Sequence, residues 1–346
     1  MLVKSQNPHG GDIYSNKVRL DFSANINPFG MPESVRSAIV SSVERCSAYP
    51  DPYCTDLRRK IADAEGVPVG CVICGAGAAD LIYQFAYSLD DGRPALIVSP
   101  TFCEYEQALK AAGIAFERYY LKEKDGFRLT PDLLDTDLSR YSAVFICSPN
   151  NPTGVTADRE LIESAADSGV RMFLDLCFLD LTEEPDKYRL ASLTERYPGI
   201  FALKAFTKSY AMAGLRLGYA VCRDDELLER MSEKTQCWNV STPAQAAGAA
   251  ALGCGGWLKE SVKKISEERR YLASELDKLG VTVFPGEANY LLLRTSGGVW
   301  EKLMGMGIMV RDCSNYAGLG GGFIRVAVRT RSENECLVKA FREALR

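Results

Sequence analysis

The stretch Lys204-Ala205-Phe206-Thr207-Lys208-Ser209-Tyr210-Ala211-Met212-Ala213-Gly214-Leu215-Arg216-Leu217-Gly218 sets two lysines and an arginine between apolar runs at 201–203 and 217–222. Lysine is almost never fully buried without a chemical reason. A desolvated amine beside a second cation has a lowered pKa and can form a Schiff base with an aldehyde. Lys208, with glycine and then Arg216 following it, suits an aldehyde that also carries phosphate. On this stretch alone a solvated Lys-Ser turn between strands fits as well. The elements around it must decide.

Short apolar runs at 71–74, 95–98, 144–147, 172–174, 201–203 and 217–222 alternate with helical segments. That is the pattern of a mostly parallel sheet, whose ligands sit at the carboxyl ends of the strands. The residues able to do chemistry fall at those ends. Gly75-Ala76-Gly77-Ala78-Ala79 opens a helix with small residues, so that backbone N–H groups can close on a phosphate. It satisfies neither the dinucleotide nor the P-loop glycine pattern. Phe102 follows the second run, and the turn-rich Ser148-Pro149-Asn150-Asn151-Pro152-Thr153-Gly154 follows the third. Asp175 ends the fourth, where a buried carboxylate requires a cationic partner or pays a large desolvation cost.

Helices are expected at 32–45, 55–65 (capped by Thr55), 223–236, 243–252, 257–279 and 332–345 (capped by Ser332). Runs at 281–284, 289–293, 308–310 and 324–328 read as strands of a smaller sheet. Arg311, Arg325 and Arg329 lie on or beside these strands. A side-chain period of two puts 325 and 329 on one face, where guanidinium forks could bind carboxylate or phosphate. Residues 1–30 carry His9, Asn25 and Asn27 among turn formers and interleaved apolar residues, which suggests an ordered arm.

At 346 residues the chain fits two domains. Its 47% hydrophobic and 25% charged residues are those of an ordinary globular protein, and a net charge of -4 gives no reason to expect nucleic acid or an anionic membrane as partner. No apolar run approaches the roughly 20 residues that span a bilayer, and no signal peptide opens the chain. Twelve scattered cysteines are expected as free thiols in a reducing cytoplasm. Cys71 and Cys74 have the spacing of half a zinc site but no second pair, and the only histidine is His9, so no metal is expected.

Taken together these motifs resemble the fold-type I pyridoxal-phosphate enzymes, in the branch holding threonine-phosphate decarboxylase and histidinol-phosphate aminotransferase. The resemblance runs over nearly the whole chain. It implies an α/β fold of the PLP-dependent transferase type, with a large domain (46–250) built on a mostly parallel seven-stranded sheet. A smaller α+β domain (31–45 and 251–346) and an N-terminal arm (1–30) complete it. It implies pyridoxal 5'-phosphate as cofactor, Lys208 as the Schiff-base lysine and Asp175 as partner of the protonated ring nitrogen. The phosphate would rest on the amides of Gly77, Ala78 and Ala79 and on Arg216. Phe102 would stack on the ring, Asn151 would donate to its phenolic oxygen, and Tyr49 would reach the cofactor of a partner subunit in a homodimer. The arm, with His9, Asn25 and Asn27, would cross the substrate site. Arg325 would hold a substrate carboxylate, with Arg329 beside it.

Three positions depart from the aminotransferase pattern. Leu176 and Phe178 stand where Glu and Tyr are usual, and Ala205 replaces a hydroxyl that binds phosphate, a bond Thr207 could restore. His-Gly-Gly at 9–11, the Phe-Ser-Ala-Asn-Ile-Asn-Pro string, Trp238-Asn239-Val240, Phe178 and Arg329 favour the decarboxylase. The expected reaction is then decarboxylation of L-threonine O-3-phosphate to (R)-1-amino-2-propanol O-2-phosphate, a step of cobalamin biosynthesis. Transamination of histidinol phosphate with glutamate is the rival reading. A non-catalytic protein that keeps the fold for binding is a third.

Overall fold

The computed structural model describes residues 9–89 and 91–346. Strands Ala95–Ser99, Ala143–Cys147, Arg171–Asp175 and Ile200–Ala205 lie parallel, and nearly every residue in them is buried. Burial on both faces is why they read as unbroken apolar runs rather than alternating ones. The period of two still sorts the side chains. Val144, Ile146, Met172, Leu174 and Ala202 enter one core cluster, while Phe145, Phe173 and Phe201 enter the other with Phe85 and Tyr105. The register sets Phe145 opposite Phe173 and Phe173 opposite Phe201, and their rings stack with centroids 4.9 and 5.4 Å apart. Each such pair contributes about 0.5–1.5 kcal/mol beyond burial, so this ladder pins the register of the three strands whose ends carry the site.

The full sheet has seven strands, in the order Val72–Gly75, Gly218–Val221, Ile200–Ala205, Arg171–Asp175, Ala143–Cys147, Ala95–Ser99, Phe116–Tyr120. Gly218–Val221 runs antiparallel to both its neighbours and the remaining pairs are parallel. The outermost strand, Phe-Glu-Arg-Tyr-Tyr, is absent from the six apolar runs. It is an edge strand, only half-buried, and charges along an edge discourage further pairing.

The second sheet is antiparallel throughout, in the order Arg311–Asp312, Phe323–Ala327, Tyr290–Arg294, Thr282–Val283. The run at 308–310 does not join it: Ile308–Met309 pairs with Leu20–Asp21 instead, fastening the N-terminal arm. Helix Gly255–Asp277 buries Leu272 and Leu276 in this sheet's core, while Trp257 and Leu258 near its start pack against the cluster around Leu57 and Leu217. Helix Glu33–Ser42 places Val35 in that same cluster, which also holds Val72 and Val221 of the large sheet.

Two expected caps are displaced by one or two residues. Helix Thr55–Glu65 is capped from Cys54, a left-handed residue (φ 47°), and Asp51 Oδ2 accepts from the Thr55 N–H at 2.7 Å. The closing helix Arg331–Ala344 begins with a capping box between Thr330 and Glu333, not at Ser332. A side-chain oxygen must precede the first turn to accept from it, and Ser332 lies inside that turn. The strand carrying Arg325 stops at Ala327, so Arg329 stands beyond it and the period-of-two placement of Arg329 beside Arg325 does not hold.

Candidate active site

At the carboxyl ends of the parallel strands lies a cavity of about 300 Å³, lined by both sheets and by the arm. Lys208 reaches it from a four-residue helix, Phe206–Ser209, that starts where strand Ile200–Ala205 stops. Among the described residues its Nζ has no hydrogen-bond or ion-pair partner; its nearest aromatic is Phe178, whose ring centroid is 5.8 Å away. Burial, then the charges of Arg325 and Arg216, push its pKa down to about 8. The turn is held from the arm. Asn27 N–H donates to the Lys208 carbonyl at 3.0 Å and Asn27 Nδ2 to the Ser209 carbonyl at 2.9 Å. Asn27 is therefore a buried positioning residue and does not line the cavity.

Lys204, four residues earlier, is also buried, but its Nζ meets Glu65 at 2.8 Å and Asp180 at 2.9 Å.

Asp175 ends its strand facing the cavity. Its carboxylate accepts from Tyr105 Oη at 2.6 Å and from the Cys177 N–H at 2.9 Å. Burial nevertheless raises its pKa against both hydrogen bonds, and no cation among the described residues lies within ion-pair distance. A buried carboxylate left short of a cation is a place for one.

The helix Ala78–Tyr87 points its first turn at the cavity with no side-chain cap, and Ala78 and Ala79 line it. Gly77, at φ 90°, carries the guanidinium of Arg216 so closely that a Cβ would lie 2.6 Å from Nη2. Gly218 is packed as tightly from the other side, with the Ala78 nitrogen 2.8 Å from a Cβ. Uncapped N–H groups, a helix N-terminus and a guanidinium make an anion cradle. Asp80 braces it, accepting from the Ala76 N–H at 2.8 Å and from Asn239 Nδ2 at 2.9 Å. Thr207 and Ala205 also line the cavity. So does Phe102, edge-on to Tyr105.

The substrate side is built by the second sheet and the arm. Asn151 Oδ1 accepts from Arg325 Nη1 and, at 3.3 Å, from Tyr316 Oη. Arg325 Nη2 donates to the Ser23 carbonyl at 2.6 Å. With its carboxamide oxygen turned toward that guanidinium, Asn25 accepts from Nε at 3.2 Å. Arg311 lies directly across the strand pair from Arg325 and also lines the cavity, with Nη2 2.9 Å from Asn315 Oδ1. Arg329 is elsewhere: Nε donates to Glu333 at 2.9 Å and Nη1 to the Asp21 carbonyl at 3.1 Å, and it is not among the lining residues. The second arginine on the substrate side of the cavity is Arg311. Reading it from sequence required the antiparallel register, which the residue spacing does not contain.

His9 lines the mouth. Its Nε2 is 2.5 Å from Glu104 Oε1 and its Nδ1 3.7 Å from Cys103 Sγ; these hydrogen bonds, that to Cys103 first, push its pKa up to about 9. Tyr49 does not reach the cavity of its own chain. It is 77% exposed and stacks on Trp238, itself 45% exposed, with centroids 4.4 Å apart.

The chain belongs to the class I and II aminotransferase family, whose model matches residues 17–341. It is 36% identical to the threonine-phosphate decarboxylase of Salmonella typhimurium, over 97% of this chain and 96% of that one. The histidinol-phosphate aminotransferase of Clostridium acetobutylicum superimposes with a TM-score of 0.88 at 27% identity, over 94% of this chain and 99% of that one. The histidinol-phosphate aminotransferase of Sinorhizobium meliloti, solved in complex with pyridoxal-5'-phosphate, superimposes with a TM-score of 0.86 at 20% identity, over 96% and 92%. The cofactor is pyridoxal 5'-phosphate, and the residues present fit it. Asp175 lacks a cation that a protonated ring nitrogen would supply, the cradle at Gly77–Ala79 and Arg216 suits a phosphate, and Lys208 is an unpaired amine between them. No helix among the described residues is long and apolar enough to cross a membrane.

Proposed function

We propose that the protein is a decarboxylase of a small phosphorylated amino acid, L-threonine O-3-phosphate. The observation that carries this reading is the cross-strand pair Arg311–Arg325, which lines one cavity with Lys208. Two guanidinium forks, with the His9 cation at the mouth, match a small substrate bearing both a carboxylate and a phosphate dianion. The 36% identity to the Salmonella decarboxylase supports the same choice.

When bound, the cofactor supplies an electron sink for the bond that breaks at the amino acid's Cα. The chain's residues do the rest. The N–H groups of Ala78 and Ala79 and the Arg216 guanidinium hold the cofactor phosphate, and Asp175 keeps a proton on the ring nitrogen by remaining ionised beside it. Asn151, whose oxygen is taken by Arg325, presents Nδ2 as a donor. Phe178 offers no hydroxyl there, and Asn151 would donate to the cofactor's phenolic oxygen. Arg311 and Arg325 fix the two anionic ends of the substrate and so choose which Cα bond is set to break. Lys208 Nζ, with its pKa lowered to about 8, can give a proton to Cα and recover it from solvent at ordinary pH.

Transamination of histidinol phosphate is the second reading, favoured by the superposition on the Clostridium enzyme. Incubation with L-threonine O-3-phosphate, and separately with histidinol phosphate and an oxo-acid acceptor, separates them. Release of CO2 from the first without keto product from the second is expected. The reverse overturns the reading, and turnover of neither leaves a protein that binds without catalysis.

We further propose that the active form is a homodimer in which the exposed Tyr49–Trp238 stack seats Tyr49 toward a partner subunit's cofactor phosphate. Tyr49→Phe is expected to weaken cofactor binding; an unchanged cofactor affinity removes the contact.

A further inference from the structure

At the mouth of the cavity the side chains of Cys103, His9 and Glu104 form a line that the proposed reaction does not use as a unit. The sulfur of Cys103 is 3.7 Å from His9 Nδ1, and the opposite ring nitrogen is 2.5 Å from the Glu104 carboxylate. A cysteine against an imidazole that is oriented in turn by a carboxylate is the arrangement of an activated nucleophile. Two further features act on the sulfur. Cys103 is the N-cap residue of the eight-residue helix Glu104–Ala111, at the positive end of its dipole. Gln107 Nε2, one turn on, lies 4.0 Å from Sγ as a donor. Cys103 is partly exposed, whereas Cys147, Cys222 and Cys313 are buried. Reactive cysteines are partly open to solvent, and inert ones sit in apolar cores.

The position matters as much as the chemistry. The residue before it, Phe102, and both its partners, His9 and Glu104, line the cavity. His9 stacks obliquely on Phe102 with centroids 5.4 Å apart. A group added to Sγ would occupy the space His9 uses and push into the entrance.

We propose that Cys103 is a covalent modification site for low-molecular-weight disulfides, and that its modification closes the mouth of the active-site cavity. In the step, Sγ attacks one sulfur of the disulfide. A Cys103–S–S bond forms, the reagent's own S–S bond breaks, and its second half leaves as a thiolate. The proton lost by the Cys103 thiol passes to solvent, because His9 is already a cation in its pair with Glu104, and that cation favours the negative charge on Sγ during the attack. A free thiol reverses the exchange, so the block is reducible.

The test is competitive labelling of the pyridoxal-phosphate-loaded enzyme with limiting iodoacetamide, read site by site by peptide mass spectrometry. Exposed Cys46 and Cys237 serve as internal references, and the buried cysteines report on folding by staying unlabelled. Cys103 is expected to react about tenfold faster than either reference despite its lesser exposure, and His9→Gln to remove that advantage while the references keep their rates. A Cys103 rate no higher than the references, or one unchanged by His9→Gln, overturns the activated thiol. Closure is read separately, as the rate at which hydroxylamine changes the cofactor absorbance of the enzyme before and after treatment with dithiobis(nitrobenzoate). Treatment is expected to slow wild type severalfold, reversibly with dithiothreitol, and not to slow Cys103→Ala. Equal slowing of both, or of neither, overturns the gate.

Discussion

Lys204 and Lys208 stand four residues apart on one strand-and-turn, and both are withdrawn from solvent. They meet opposite surroundings. Lys204 is paired with Glu65 and Asp180, and Tyr219, its neighbour across the sheet, donates to the same Glu65 oxygen at 2.5 Å. Burial opposes its charge, but Asp180, Tyr219 and Glu65 hold its pKa well above the ordinary lysine range. Lys208 has no hydrogen-bond or ion-pair partner among the described residues, and burial, Arg325 and Arg216 bring its pKa down to about 8 against Cys177 and Asp175. Burial alone does not mark a reactive amine. The balance of charge around it does. Lys204 is a fixed cation that ties strand Ile200–Ala205 to helix Thr55–Glu65, and Lys208 is the amine we propose to be reactive.

That contrast can be broken most visibly at Lys208. Lys208→Ala is expected to lower turnover by about 10²–10⁴-fold, since on the proposed mechanism it removes the general acid–base group at Cα; steady-state turnover of the accepted substrate checks it. Lys204→Met is expected to act on stability instead. Removing one member of a buried ion network leaves the others uncompensated, which commonly costs about 3–5 kcal/mol. Urea unfolding measures that loss, and a variant as stable as wild type would show Glu65 and Asp180 hydrated or protonated.

The same question of partners sharpens the arginines. Arg311→Gln is expected to weaken binding of the anionic substrate by about 2–5 kcal/mol, or roughly 30-fold to several thousand-fold. Arg329→Gln removes a partly buried pair with Glu333 and a hydrogen bond to the Asp21 carbonyl, both away from the cavity, and is expected to change substrate affinity little. Equal effects of the two would return Arg329 to the site.

The smallest expected effect is in pH. A lysine whose folded pKa is depressed binds fewer protons folded than unfolded between pH 8 and its ordinary pKa, so its penalty on stability eases as pH rises through that window. Lys204, raised in the folded state, contributes fully below its ordinary pKa and loses that contribution only as pH climbs through the higher folded value. In cofactor-free protein, the stability advantage of Lys208→Met over wild type should therefore shrink from pH 8 to pH 10, while the deficit of Lys204→Met stays constant. Unfolding curves across that range check both.

What could be read from the sequence follows from which interactions are local. Six strands of the large sheet were legible because both their faces are buried; Phe116–Tyr120 was not, because an edge strand with Glu117 and Arg118 has no continuous apolar signal. The turn carrying Lys208, the strand-end aspartate and Asn151 lie in short motifs, and the fold brings all three to one cavity. Arg311 and Arg329 could not be told apart without the end of the strand at Ala327 and the antiparallel register Arg311↔Arg325. The pairing of Lys204 depends on Glu65, which is 139 residues away in the chain, and no local pattern announces it.

The central claim is that Lys208, and not the better-buried Lys204, is the amine that holds the cofactor. Reduction of the pyridoxal-phosphate-loaded enzyme with borohydride, followed by proteolysis and mass mapping, tests it directly. The account predicts the covalent pyridoxyl group on Lys208 alone. A label on Lys204, or on neither lysine, would contradict it.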